Sequence, residues 1–201
     1  MEKKKSFSIN FDYRCPFARN LNEHLVTALK NGAEYDVEFV PFNLSQVHVE
    51  DGERSIWEDP SREVDLIANE VGYIVSKLYP EKFLDVHIGL FALRHEMGKG
   101  MKRFEEMEEL LNENGVDATK VREVLESKVY RDETRELHRH QSEDLDVFGV
   151  PTLFDNDKAA FVRILDRPKT PAGSVSVIDR VVDHVFSHSE LNEIKHTRVA
   201  R

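Results

Sequence analysis

Residues 6–13 read Ser-Phe-Ser-Ile-Asn-Phe-Asp-Tyr. Phe7, Ile9, Phe11 and Tyr13 recur with period two, the pattern of a strand with one apolar face. A break at Arg14-Cys15-Pro16 follows, and Leu21, Leu25, Ala28 and Leu29 then fall on one helical stripe. Pro16 suits the first turn of that helix, where its missing N–H would have no partner. Asn31-Gly32 stops the helix. Tyr35 to Val40 forms a second strand closed by Pro41. Strand, helix and strand in this order favour a right-handed parallel unit and commit the N-terminal end to an α/β sheet.

The middle of the chain has a different period. Residues 43–60 read as a loop, and 61–146 are helical throughout. Ile67, Val71, Ile74 and Leu78 form one stripe, closed by Pro80. Phe83, Val86 or His87, Leu90, Phe91 and Arg94 form a second. Phe104, Met107, Leu110 and Leu111 form a third, closed by Asn114-Gly115. Asp117 caps a fourth, carrying Val121, Val124 and Leu125. Strand character returns at Phe148 to Phe154. After a turn at Asp155-Asn156-Asp157 it continues from Ala160 to Leu165, so the two segments pair as a hairpin. Pro171 and Ser174 open a last helix with Val175, Ile178, Val182 and Val185 on its apolar face. Residues 191–201 form a polar tail. With the helical stretch removed, the order is βαβ, then ββα.

The 201 residues carry 28 Lys+Arg against 38 Asp+Glu, a formal charge of −10. That balance argues against nonspecific binding to nucleic acid and against docking on anionic lipid. No stretch approaches the roughly 20 apolar residues of a membrane span. The run Phe7 to Phe11, after Lys3-Lys4-Lys5, is too short and too polar for a signal-peptide core. These features favour a cytoplasmic protein. A single cysteine excludes an intramolecular disulfide and a cage of several thiolates around zinc.

That cysteine is the main chemical candidate. At the N-terminus of a helix, Cys15 faces unpaired N–H groups and the positive end of the helix dipole, both of which favour the nucleophilic thiolate. Arg14 and Arg19 would add positive charge. The expectation is a thiol pKa below the free value of about 8.5.

Other candidates are weaker. Asn43, Gln46 and Trp57 follow the second strand, where turn formers and core plugs are common. Arg163 sits inside Phe161-Val162-Arg163-Ile164-Leu165. A charge in a core strand needs a partner, either a ligand carboxylate or an ion pair such as one with Asp166. His138 and His140 point nearly opposite ways on a helix. His184 and His188 could share a face but have no further ligand nearby, so no metal site is expected. His24 is about 13 Å along the helix from Cys15 at 1.5 Å per residue, too far to activate the thiol. Either His87 or His95, in the helical stretch, could approach it.

Asp12-Tyr13-Arg14-Cys15-Pro16-Phe17-Ala18 at the first strand end, and Gly149-Val150-Pro151-Thr152 before the third, flank a helical insertion. In this arrangement the chain resembles the DsbA-like family of thioredoxin-fold proteins. It is most similar to the cytoplasmic branch related to kappa-class glutathione transferases and 2-hydroxychromene-2-carboxylate isomerases. The resemblance covers nearly the whole chain. It implies an α/β fold: a thioredoxin-like core at 1–45 and 147–190, with an all-helical domain, 60–146, inserted into it.

The resemblance also implies a site in which Pro151 follows a cis peptide bond and faces Cys15, with Cys15 and Pro151 as the catalytic pair. Arg14, Pro16, Phe17, Asn43, Trp57, Val150 and Arg163 would bind substrate or a small thiol. The family's redox motif is Cys-x-x-Cys, whereas Ala18 stands at the fourth position here, so no second thiol in the chain can resolve a mixed disulfide. The expected function is thiol-disulfide oxidoreduction by one cysteine, through monothiol exchange or a mixed disulfide with a small thiol. The alternatives are a glutathione-type, thiol-dependent transferase or isomerase and a non-catalytic thiol-binding protein. No tightly bound cofactor is expected beyond a low-molecular-weight thiol such as glutathione. The expected partners are small thiols or disulfides and, from the relatives, a second copy in a homodimer.

Overall fold

A computed structural model describes residues 5–196. Residues 1–4 of the expected core and 197–201 of the polar tail lie outside the described residues. Strand β1 (Lys5–Phe11) leads into helix α1 (Pro16–Lys30) and strand β2 (Tyr35–Pro41). A short helix α2 (Leu44–Val47) and a 3-10 turn (Pro60–Asp65) follow within and just after the expected loop. Helices α3 (Ile67–Leu78), α4 (Pro80–His95), α5 (Glu105–Glu113), α6 (Ala118–Ser127) and α7 (Arg131–Arg139) come next, and α7 runs into a π turn (His140–Asp144). Strands β3 (Thr152–Phe154) and β4 (Ala159–Phe161) and helix α8 (Pro171–Ser187) complete the chain. Pro80 therefore does more than close α3, since it also occupies the first turn of α4.

The sheet order is β2-β1-β3-β4. β1 and β2 run parallel in the register Ser8↔Glu38 and Ile9↔Phe39. β3 is antiparallel to β1, and β4 to β3. β1 ends at Phe11, so Tyr13 belongs to the turn after it. Its one-sided pattern also gives way to burial on both faces, with Asn10 and Asp12 as fully covered as Ile9 and Phe11. A strand inside a parallel unit, covered by helices, is buried on both sides.

α1 is enclosed in the same way. α8 packs along one side and α4 along another. Its polar residues are therefore buried and paired: Asn22 accepts from His87 at 3.0 Å, His24 bonds Ser174 at 3.1 Å, and Glu23 pairs with Arg19 and Arg167. Buried polar groups cost free energy unless bonded in this way.

Two strand readings need correction. Residues Phe148 to Pro151 make no ladder, and Phe148 is 68% exposed. β4 stops at Phe161, so Arg163 is not in a core strand but in an exposed position beyond it. Asp166 pairs with Lys169, not with Arg163. The apolar residues Val162, Ile164 and Leu165 imitate a strand, but the segment leaves the sheet to bond α1. There, the Asn20 side-chain amide donates to the Ile164 and Leu165 carbonyls at 3.0 and 2.8 Å.

Candidate active site around Cys15

The turn that presents Cys15 is built by Asp12. Its carboxylate accepts from the Arg14 backbone N–H at 2.9 Å, and the Cys15 N–H donates to the Asp12 carbonyl at 3.0 Å. An Asp side chain that bonds the amide two residues on folds the backbone into such a turn. The turn leaves Cys15 with extended dihedrals as the N-cap of α1, with Pro16 in the first helical turn. The sulfur accepts from the Ala18 N–H at 3.5 Å and donates its hydrogen to the Val150 carbonyl, also at 3.5 Å. The Val150–Pro151 peptide is cis. Cys15 is partly exposed.

Asn10 positions the opposing loop. The β1–β3 ladder ends at Ile9↔Leu153, and the Asn10 side chain takes over from there. Its amide donates to the Gly149 carbonyl at 3.2 Å, and its oxygen accepts from the Thr152 N–H at 2.6 Å. Thr152 Oγ1 adds a 2.9 Å bond to the same Gly149 carbonyl. One buried amide thus clamps the loop on both sides of Val150–Pro151. The strand pattern placed Asn10 among outward-facing polar residues, and its only signal was being polar in a strand covered on both faces.

The electrostatics differ from expectation. Burial pushes the Cys15 thiol up, and the Asp12 carboxylate pushes it further. The Ala18 and Phe17 N–H groups oppose both without prevailing. The expected depression of the thiol pKa is therefore overturned. The arginines supply no relief, because their charge is spent elsewhere. Arg14 donates two hydrogen bonds to the Asp12 carboxylate, at 3.1 and 2.9 Å, and also reaches Asp65. Arg19 lies between Glu23 and Glu96. Asp12 and Glu23 stand only two and four positions from these arginines, but the approach of Asp65 and Glu96 is set by the fold.

Among the described residues no histidine bonds the thiol. His95 bonds the Tyr13 carbonyl at 2.9 Å, two residues before Cys15. His87 is fully buried between the Tyr13 hydroxyl, at 2.8 Å, and Asn22. Because the Asn22 amide nitrogen donates to the Ala18 carbonyl, its oxygen faces His87, which donates through Nε2 and accepts from Tyr13 through Nδ1. Burial lowers the His87 pKa to about 3, so the ring is neutral.

Asn43 and Trp57 gather around His138. The Asn43 N–H donates to His138, and its side chain accepts from Asn69 at 2.8 Å. Trp57 packs on the His138 ring at 5.2 Å. Neither bonds Cys15 directly; the Asn69 that bonds Asn43 also accepts from the Tyr13 N–H at 3.4 Å, and the Leu44 N–H donates to Asp12 at 2.9 Å, so the cluster supports the Cys15 turn while joining α3 and α7 to the end of β2. Among the described residues no group of three His, Cys, Asp or Glu side chains could hold a metal ion.

Pro16 is exposed at the helix start and Phe17 is half-buried beside it. The Arg163 guanidinium lies 5.0 Å from the centre of the Phe17 ring. Phe148 and the 40% exposed Phe161 pack together at 5.3 Å next to the Val150–Pro151 loop in sequence and ladder. Cys15, Phe17, Val150, Pro151 and Arg163 therefore belong to one neighbourhood. Arg14 sits behind it, holding the turn.

A family model for the DSBA-like thioredoxin domain matches residues 8–170. The chain belongs to this family. Solved structures of similar shape include DsbA from Pseudomonas aeruginosa, at 20% identity and a TM-score of 0.59, covering 91% of this chain and 84% of that one. Reduced DsbA1 from Neisseria meningitidis is 15% identical with a TM-score of 0.58, covering 92% and 87%. A 2-hydroxychromene-2-carboxylate isomerase is 16% identical with a TM-score of 0.61, covering 89% and 97%. At these identities the likeness is one of fold. A search of curated proteins finds no match. The α/β core with a helical insertion is the architecture of this DsbA-like family. Within it, this DsbA-like chain has Ala18 where the family motif has its second cysteine.

Proposed function

We propose that this DsbA-like protein is a thiol-dependent oxidoreductase that works through Cys15 alone. The observation that carries this reading is the 3.5 Å contact between the Cys15 sulfur and the Val150 carbonyl, with the sulfur at a helix N-cap and partly open to solvent. The Cys15 thiolate attacks a small disulfide, joins one half in a mixed disulfide and releases the other half as a thiolate, which takes up a proton. A second small thiol then attacks the mixed disulfide and frees Cys15. No resident cofactor is needed, because a low-molecular-weight thiol such as glutathione serves as co-substrate.

The raised thiol pKa shapes this activity. A thiol of high pKa is a poor leaving group, so its mixed disulfide exchanges slowly. The protein is then a slow exchanger near neutral pH, unlike oxidants whose reduced form is stabilised as a thiolate. A lone thiol suits a reducing compartment, and we place the protein in the cytoplasm on that ground. Among the described residues no helix is long and apolar enough to cross a membrane.

The test is reduction of a small disulfide by wild type and Cys15→Ser in the presence of glutathione. Wild type should turn over and the variant should be silent. Full activity of Cys15→Ser toward an electrophile plus glutathione would point instead to a transferase or isomerase. No acceleration and no bound thiol would point to a non-catalytic binding protein.

A further inference from the structure

Arg163 is held over Phe17, two residues after Cys15, by contacts that leave its charge unpaired. The Val162 N–H donates to the Pro151 carbonyl at 3.0 Å, which pins the backbone before Arg163 to the proline that follows Val150. The Asn20 amide pins the backbone after it to α1. The guanidinium lies over the face of Phe17, whose own N–H is directed at the Cys15 sulfur. A cation over an aromatic ring is held by the ring's negative face. Arg14, Arg19 and Arg167 are all engaged by carboxylates. Arg163 forms no ion pair among the described residues, although the chain carries a net charge of −10.

We propose that Arg163 is a specificity determinant that selects disulfides bearing carboxylates. It would pair with a carboxylate of the half that becomes joined to Cys15. The inference rests on the exchange reading above and adds the substrate class: anionic low-molecular-weight disulfides. The planar guanidinium offers paired N–H donors that match a carboxylate, and stacking on Phe17 fixes its orientation. The covalent step is that of the exchange already described: one Cys15–sulfur bond forms, the substrate's S–S bond breaks, and the released half leaves as a thiolate and is protonated.

The test compares three probes: glutathione disulfide, which carries carboxylates, neutral bis(2-hydroxyethyl) disulfide, and cationic cystamine. Formation of the mixed disulfide at Cys15 is followed by intact mass. In wild type the rate ratio of glutathione disulfide to the neutral probe should exceed that ratio in Arg163→Gln by about fivefold, the upper range for an exposed ion pair. Arg163→Lys should recover part of the ratio. About 1 M salt, where the Debye length is about 3 Å, should erase the wild-type preference. The cystamine ratio should rise in Arg163→Gln. If Arg163→Gln slows all three probes equally, Arg163 merely positions the loop and the selectivity is overturned. If wild type fails to react even with the neutral probe, the exchange reading itself falls and takes the selectivity with it.

Discussion

The Cys15 sulfur gives its hydrogen to the Val150 carbonyl and accepts one from the Ala18 N–H, both at 3.5 Å. The first contact favours the thiol and the second the thiolate. Burial and the Asp12 charge tip the balance toward the thiol.

The alkylation rate of Cys15 with iodoacetamide should therefore rise only above the ordinary thiol value of about 8.5. Asp12→Asn should move the rise to lower pH, because it removes the nearby negative charge. The same variant should lose about 1–2 kcal/mol of stability, since Arg14 loses its bidentate partner but keeps Asp65 and Ser45. A profile that rises below pH 7 in wild type would falsify this account of the thiol.

Asn10 is the joint between β1 and the Val150–Pro151 loop. Asn10→Ala leaves the Gly149 carbonyl with only Thr152 Oγ1 and the Thr152 N–H without its partner. The expected cost is about 2 kcal/mol from the stranded backbone donor. Urea unfolding measures it. Hydrogen exchange at Thr152 should speed up while exchange within α6 stays as it was, which separates a loosened loop from a general loss of stability.

Gly72 on α3 lets the helix approach the buried Tyr13 ring. A Cβ there would lie 2.2 Å from the Tyr13 hydroxyl and 2.8 Å from a ring carbon. Tyr13 is fully buried and bonded to His87, so it has nowhere to move. Gly72→Ala should cost about 1–3 kcal/mol by overpacking. Pairing it with Tyr13→Phe should restore only part, because the ring carbons still clash. Thermal midpoints of the two variants decide it.

His87 makes the fold sensitive to acid. Its folded pKa of about 3 lies below the unfolded value of about 6.5. The neutral ring therefore contributes stability that is fully present above pH 6.5 and is lost as pH falls toward 3. Between pH 6.5 and 4 the loss should be roughly 3 kcal/mol. His138, lowered to about 4 by burial, adds to it. His87→Gln should flatten the dependence of the urea midpoint on pH, and an unchanged slope would remove His87 from the explanation.

Much of this molecule is legible in local pattern. The alternation from Phe7 to Phe11, Pro16 at a helix start, the Asp117 cap and the Asn31-Gly32 stop all act within a few residues. The αβ order and the helical stretch follow from them. Cys15 could be placed at a helix N-terminus for the same reason. Arg163 shows where such reading fails, because an apolar alternation beyond Phe161 looks like a strand until the ladder partner is missing. Asn43 and Trp57 show the same limit, since their partner His138 lies 95 positions beyond Asn43 and no local pattern announces it.

Backbone preference and hydrophobic period are short-range forces, so the chain order of residues was enough to decide the elements, the βαβ unit and the position of the thiol. The thiol's acidity and the clamp on its facing loop were decided by folding. Both depend on burial and on partners brought in by packing: Asp12 and Cys15 enclosed together, Arg14 shared between Asp12 and the distant Asp65, and Asn10 bridging Gly149 and Thr152. Electrostatic effects of that kind are set by distance and burial, and neither exists until the segments pack.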